Sequence, residues 1–238
     1  MTPNVVLDTN IWIYLSNPKL NHLLKRLNDE VDNENLKLLI SDIIILEWDR
    51  NKEKTIRNLK REYNDCIDLI NAYQVFNETR IYTTNKERFL FDKSGLNEFV
   101  NKYIEEVENL MGKCTLVEST VDQKLFIADI AIKGIPPLNN KNNFNDALII
   151  RSIIESIEIN YPYKYDFIFV TENIKDFVDP NTQNLFNSLT QGLEKIRIIT
   201  TKELGKVLNL SEELIEDYED WLEYHVSSYY DRDFLLNR

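Results

Sequence analysis

Histidine, cysteine, glycine and proline are all scarce in this chain, which holds 2, 2, 5 and 6 of them among 238 residues. The two cysteines, Cys66 and Cys114, make neither a disulfide framework nor a zinc-ligand spacing. Their helical surroundings make both read as small buried apolar residues. His22 and His225 lie far apart with no cysteine or aspartate companion, which argues for structural or surface roles and against histidine-centred catalysis. So few glycines and prolines predict long helices with few interruptions. No apolar run approaches bilayer length, and no basic segment precedes an apolar one at the start. The expectation is a cytoplasmic protein with no membrane partner.

Basic charge is also short. Lys and Arg number 28 against 40 Asp and Glu, a formal net charge of −12, which disfavours non-specific attraction to nucleic acid or anionic lipid. Metal ions and a local basic face can reverse such a field near a site, so the exclusion is weak. A chain of this length buries a substantial core, as one domain or one domain with an elaboration.

What the chain does have is an alternation of apolar runs with helical patterns. Residues 4–8 read as a first strand and 10–28 as a helix carrying Ile11, Tyr14, Leu15, Leu23 and Leu24. Residues 36–40 read as a second strand, with Ser41 as N-cap of a helix from 42 to about 73. The interval 77–133 shows no strong strand signal and offers helices at 86–111 and 117–133, closed by Gly112 and Gly134. Ser94-Gly95 is a point at which the first of these can split. After Pro136-Pro137 and a polar loop, Asn145 can cap a helix over 146–159. Residues 165–171 are the clearest late strand, 185–193 look helical, 196–199 are a last strand, and 211–230 read as an acidic, aromatic helix. Strands alternating with helices predict an α/β fold with a parallel sheet covered on both faces.

Four acids stand in apolar surroundings. Asp8 ends the run Val5-Val6-Leu7, at the strand end where open α/β sheets place ligands. Glu47 sits within Ile45-Leu46-Glu47-Trp48, Asp146 within Asn145-Asp146-Ala147-Leu148-Ile149, and Asp176 follows Val170-Thr171-Glu172-Asn173. Each has an ordinary alternative: Asp8 as a helix cap, Asp146 as a partner of the helix dipole, Asp176 as a loop residue, Glu47 as a salt-bridged or snorkelling acid. Gathered together away from water they repel one another unless a cation lies between them. Oxygen-only ligands suit Mg²⁺ or Mn²⁺, and no His/Cys cluster for Zn²⁺ exists.

Their order along the chain resembles that of the PIN-domain nucleases, including ribonuclease toxins of toxin–antitoxin pairs. The matching residues are Val6-Leu7-Asp8-Thr9-Asn10, Glu47, Asn145-Asp146-Ala147-Leu148-Ile149 and Val170-Thr171-Glu172-Asn173-Ile174-Lys175-Asp176-Phe177. The resemblance implies a three-layer α/β/α sandwich with a central parallel sheet and a helical insertion. It also implies a divalent-metal site of Asp8, Glu47, Asp146 and Asp176, supported by Asn10, Thr171 and Asn173, and cleavage leaving 5′-phosphate and 3′-hydroxyl ends. Two positions depart from the family: Asn145 replaces the usual Gly, and the span from Glu47 to Asp146 is long. The expected organisation is a nuclease domain over 1–200, with helical elaboration at about 50–135, and a C-terminal helical extension over 201–238.

On the helix from 42, at about 100° per residue, Arg50, Lys54, Arg57 and Arg61 fall within about 80° of Glu47 on one side, with Ile45, Ile56, Leu59 and Tyr63 opposite. Such a row is either a solvated face or a track for a phosphate backbone; Lys133 and Lys141 are weaker candidates for the same work. The expected function is a metal-dependent endonuclease, with RNA favoured over DNA and a toxin or defence role following from the family alone. The rival is a catalytically silent scaffold binding RNA or protein. A haloacid-type phosphatase needs a second Asp two residues after Asp8, where Asn10 stands. An antitoxin or other regulatory protein and a homodimer are left open as partners.

Overall fold

The computed structural model describes residues 2–80, 93–138, 143–160, 166–179, 181, 185–191, 197–201, 204–205 and 208, without the side chains of 73–80, 158–160, 166, 176 and 197–201. The sheet is five-stranded in the order β3-β2-β1-β4-β5, built from β1 (Asn4–Leu7), β2 (Lys37–Ser41), β3 (Thr115–Val117), β4 (Asp166–Val170) and β5 (Arg197–Thr201). Every neighbouring pair is parallel, with Val5 opposite both Leu38 and Ile168. Residues of β1 and Phe167–Val170 of β4 are buried throughout, as central strands covered on both faces must be.

The helices are α1 (Thr9–Leu15), α2 (Asn21–Asp32), α3 (Asp42–Arg80), α4 (Leu96–Met111), α5 (Val121–Ile132), α6 (Phe144–Asn160), α7 (Ile174–Phe177) and α8 (Asn187–Thr190). α1 to α4 pack among themselves, while α6 packs on β2 and β3 with α5 and α8 beside it. The chain runs from β1 through β2 to β3 and then back to β4 and β5; because parallel crossovers are right-handed, this reversal puts the two helix groups on opposite faces of the sheet. The fold is therefore the expected α/β/α sandwich.

Several details of the elements differ from the sequence expectation. The helix expected over 10–28 is two, because Pro18 opens a 3-10 turn (Pro18–Leu20) between α1 and α2 and proline cannot continue a helical hydrogen-bond ladder. The interval read as purely helical contains β3, a three-residue edge strand beside β2. The helix expected over 185–193 is only α8, since Leu185 forms an antiparallel bridge with Val178. Cys66 is exposed, not buried: α3 runs beyond the core there, and Asp65, Asp68, Leu69 and Ile70 around it are exposed too. Cys114 is half-buried, and burial pushes its thiol up to about 12, which leaves it unreactive.

α3 begins as expected, with Ile43 N–H donating to the Ser41 hydroxyl at 3.2 Å. The Asp42 carboxylate also accepts from the Ser119 hydroxyl at 2.8 Å, fixing the start of α3 to the turn before α5. Further along, Glu108 of α4 accepts from the Trp48 indole at 3.1 Å and pairs with Lys52 at 2.6 Å. Gly134, just past α5, has a φ of +61°, the left-handed conformation that glycine adopts without steric cost. The C-terminal helix expected over 211–230, with His225, lies outside the described residues, as does Lys141.

Candidate active site

The strand order reverses between β1 and β4, and such a switch point opens a crevice at the carboxyl ends of the strands. Asp8 sits at that point, one residue past β1, with its N–H donating to Val170 O of β4 at 2.9 Å. It is also the N-cap of α1. Its Oδ1 accepts from Thr9 N–H at 2.7 Å and its Oδ2 from the Thr171 hydroxyl at 2.8 Å. Thr171 is held in turn, since its Oγ1 accepts from Asn173 N–H at 3.0 Å.

Glu47, in the second turn of α3, reaches the same place. Its Oε2 accepts from the Thr9 hydroxyl at 2.7 Å and its Oε1 from the Asn145 amide at 2.8 Å. Thr9 therefore links the two acids, its backbone donor on Asp8 and its hydroxyl on Glu47. Asn145 does not cap α6 as expected. It lies inside the first turn and carries the cross-link from α6 to α3. Asp146 follows it, half-buried in that same turn.

Of the supporting residues, Thr171 is buried against Asp8, while Asn10 in α1 and Asn173 ahead of α7 are exposed. Asp176 falls within α7, but its side chain lies outside the described residues. Among the described residues, no three His, Cys, Asp or Glu side chains are grouped closely enough to hold an ion. The basic residues Arg50, Lys54, Arg57 and Arg61 are all exposed on α3.

The electrostatics of Asp8 are those of a charge the fold has taken out of water. Only 4% of it is exposed, and burial raises its carboxyl above the ordinary range against the opposing bonds from Thr171 and Thr9; the charges of Glu47 and Glu172 add to the rise. A cation beside Asp8 would offset both the burial and the repulsion. The donor chemistry fits Mg²⁺ or Mn²⁺: each bonded oxygen of Asp8 and Glu47 retains a second lone pair, and carboxylate oxygens suit hard dications.

Three participants were not singled out from the sequence: Thr9, Asn145 as a cross-link, and Glu172 as an acid facing Asp8. The available signal was their adjacency to the acids, with Asn145 standing where the family carries Gly.

No curated protein and no solved structure matches this chain. A family model does: that of the PIN domain matches residues 5–177, from β1 to the end of α7. With well over half of the sequence matched, the chain belongs to the PIN-domain family.

Proposed function

We propose that this protein is a divalent-metal-dependent endonuclease acting on RNA in preference to DNA in the cytoplasm, with Asp8, Glu47, Asp146 and Asp176 holding Mg²⁺ or Mn²⁺. The observation that carries the reading is the pair of acids at the switch point, Asp8 and Glu47, aligned by one threonine. Bound there, the ion would activate a water for attack on phosphorus and neutralise the charge that develops on the phosphate.

The chain's own residues do the positioning. Thr9 and Thr171 fix both oxygens of Asp8, and Thr9 and Asn145 fix both oxygens of Glu47, so the ligands are oriented before the ion arrives. Asp146, which is not grouped with Asp8 and Glu47 among the described side chains, would turn toward them from α6 on metal binding, and Asp176 would join from α7. The nuclease unit would span 1–200 with 201–238 as an extension, and a toxin or defence role accords with the family.

The scaffold reading has one observation in its favour: Asn145, in place of the family's Gly, occupies Glu47 Oε1. Incubation of the protein with labelled RNA and labelled DNA, in Mn²⁺, Mg²⁺ or EDTA, separates the two. Cleavage of RNA is expected with either ion, none in EDTA, and none from Asp8→Asn with Asp146→Asn. Cleavage surviving that double substitution would remove the site assignment; no cleavage under any condition would favour the scaffold.

A further inference from the structure

We propose that the outer face of α3 is the path of a single nucleic-acid strand, along which Arg50, Lys54, Arg57 and Arg61 engage successive phosphates leading away from the carboxylates. The nuclease reading above supplies only the end at which the strand begins.

α3 is unbroken from Asp42 to Arg80, so helical spacing holds throughout the row. The steps of four, three and four residues keep all four cations on the side of Glu47. At 1.5 Å per residue, successive members rise by about 4.5–6 Å and the row extends for about 16 Å, a separation comparable to that of neighbouring phosphates on an extended strand.

The charges of this row are not used within the described structure. All four side chains are exposed, and none pairs with a described carboxylate. Lys52, on the inner side of the same helix, pairs with Glu108, and Lys113 and Arg151 are likewise paired. Glu53 and Asp65 lie one turn from Arg57 and Arg61 without closing to ion-pair distance. A chain with a net charge of −12 has acid to spare, yet it leaves four cations in line unneutralised. In such a field a local basic strip both attracts a polyanion and fixes where it lies.

The straightness of the row selects the strand class. Duplex phosphates curve around an axis, and double-stranded RNA is contacted across its grooves. A linear row meets consecutive phosphates only on a strand free to lie along it, as in electrostatic channels for single strands.

The test uses the full chain as Asp8→Asn in Mg²⁺, so that nothing is cleaved, and a fluorescein-labelled twelve-nucleotide RNA of mixed sequence. Affinity is measured against salt. Each phosphate contact contributes about −0.7 to the slope of log affinity on log salt for a single strand, so the row accounts for about −2.8. Adding Lys54→Ala with Arg57→Ala is expected to flatten the slope by about 1.4 and to weaken binding roughly 25-fold at 0.1 M salt. Lys25→Ala with Lys124→Ala, exposed residues of α2 and α5, removes equal charge and is expected to leave the slope unchanged.

Equal effects from the two pairs, or none from the first, would overturn the path. So would a blunt RNA duplex of the same sequence whose binding depends equally on the row. Binding through the row by a wild-type chain that never cleaves would sink the nuclease reading and leave the path standing. Cleavage with row-independent binding would do the reverse.

Discussion

Thr9 is the smallest part of the site and the one on which its geometry turns. Its N–H holds Asp8 and its hydroxyl holds Glu47, so Thr9→Val keeps the shape and the backbone donor while deleting one bond. Ligands that lose an orienting partner typically lose about 10–100-fold in metal affinity. A Mn²⁺ titration by calorimetry should show a fall of that order, with stability lowered by only about 1 kcal/mol. Unchanged affinity would mean that Glu47 does not ligate the ion. Asp8 and Glu47 were legible in the sequence because one ends and the other interrupts an apolar run, where an isolated charge is costly. Thr9 and Asn145 were not, because hydroxyls and amides near helix starts are ordinary caps. Only the approach of α1 and α6 to α3 in space turns them into cross-links.

At the scale of elements, α6 is held in its layer by Arg151 as well as by packing. This residue is 8% exposed. Its guanidinium pairs with Glu155 at 2.5 Å, donates to the carbonyls of Leu189 at 3.2 Å and Gln191 at 2.9 Å, and lies 4.3 Å from the centre of the Phe126 ring. Gln123 of α5 donates to the other oxygen of Glu155 at 2.6 Å, so one arginine ties α6 to α5 and α8. Arg151→Ala would strand a partly buried carboxylate and two carbonyls, a loss of about 3 kcal/mol. A urea titration should show a lower midpoint with an unchanged slope; a midpoint within error of the wild type would show that packing alone holds α6. The strands β1 and β4 were legible as continuous apolar runs, as central strands of a covered parallel sheet require, and β2 and β5 as shorter apolar runs broken by Lys37 and Arg197. β3 was not. Thr115-Leu116-Val117 is too short to show a period, and Leu116 is 50% exposed at the sheet edge. The break at Pro18 carried a local signal, but the apolar spacing on either side of it suggested one helix.

At the scale of the whole molecule, the fold buries Asp8 at the end of its central strand, where the charges of Glu47 and Glu172 act on it, and under the proposed function an ion bound there would make stability depend on its presence. The folded Asp8 carboxyl lies above its ordinary range. A group shifted in this direction contributes stability that is complete below its unfolded value, about 3.9 for Asp, and that is lost as pH rises through its folded value. In EDTA near neutral pH, Asp8→Asn should therefore melt at a higher temperature than the wild type, and the gap should close as pH falls towards 4. Divalent metal should reverse the order. An ion present at a hundred times its dissociation constant stabilises the native state by about 2.7 kcal/mol, which for a chain of this size is roughly 5–10 °C. The wild type should gain that much in Mg²⁺ or Mn²⁺, and the variant, with one ligand gone, much less. Melting curves of both proteins with and without the ion, at neutral pH and near pH 4.5, make the comparison. A wild type indifferent to both ions would mean that the burial of Asp8 serves the fold and not a metal. An advantage for Asp8→Asn that is constant with pH would mean that something other than its charge is being relieved.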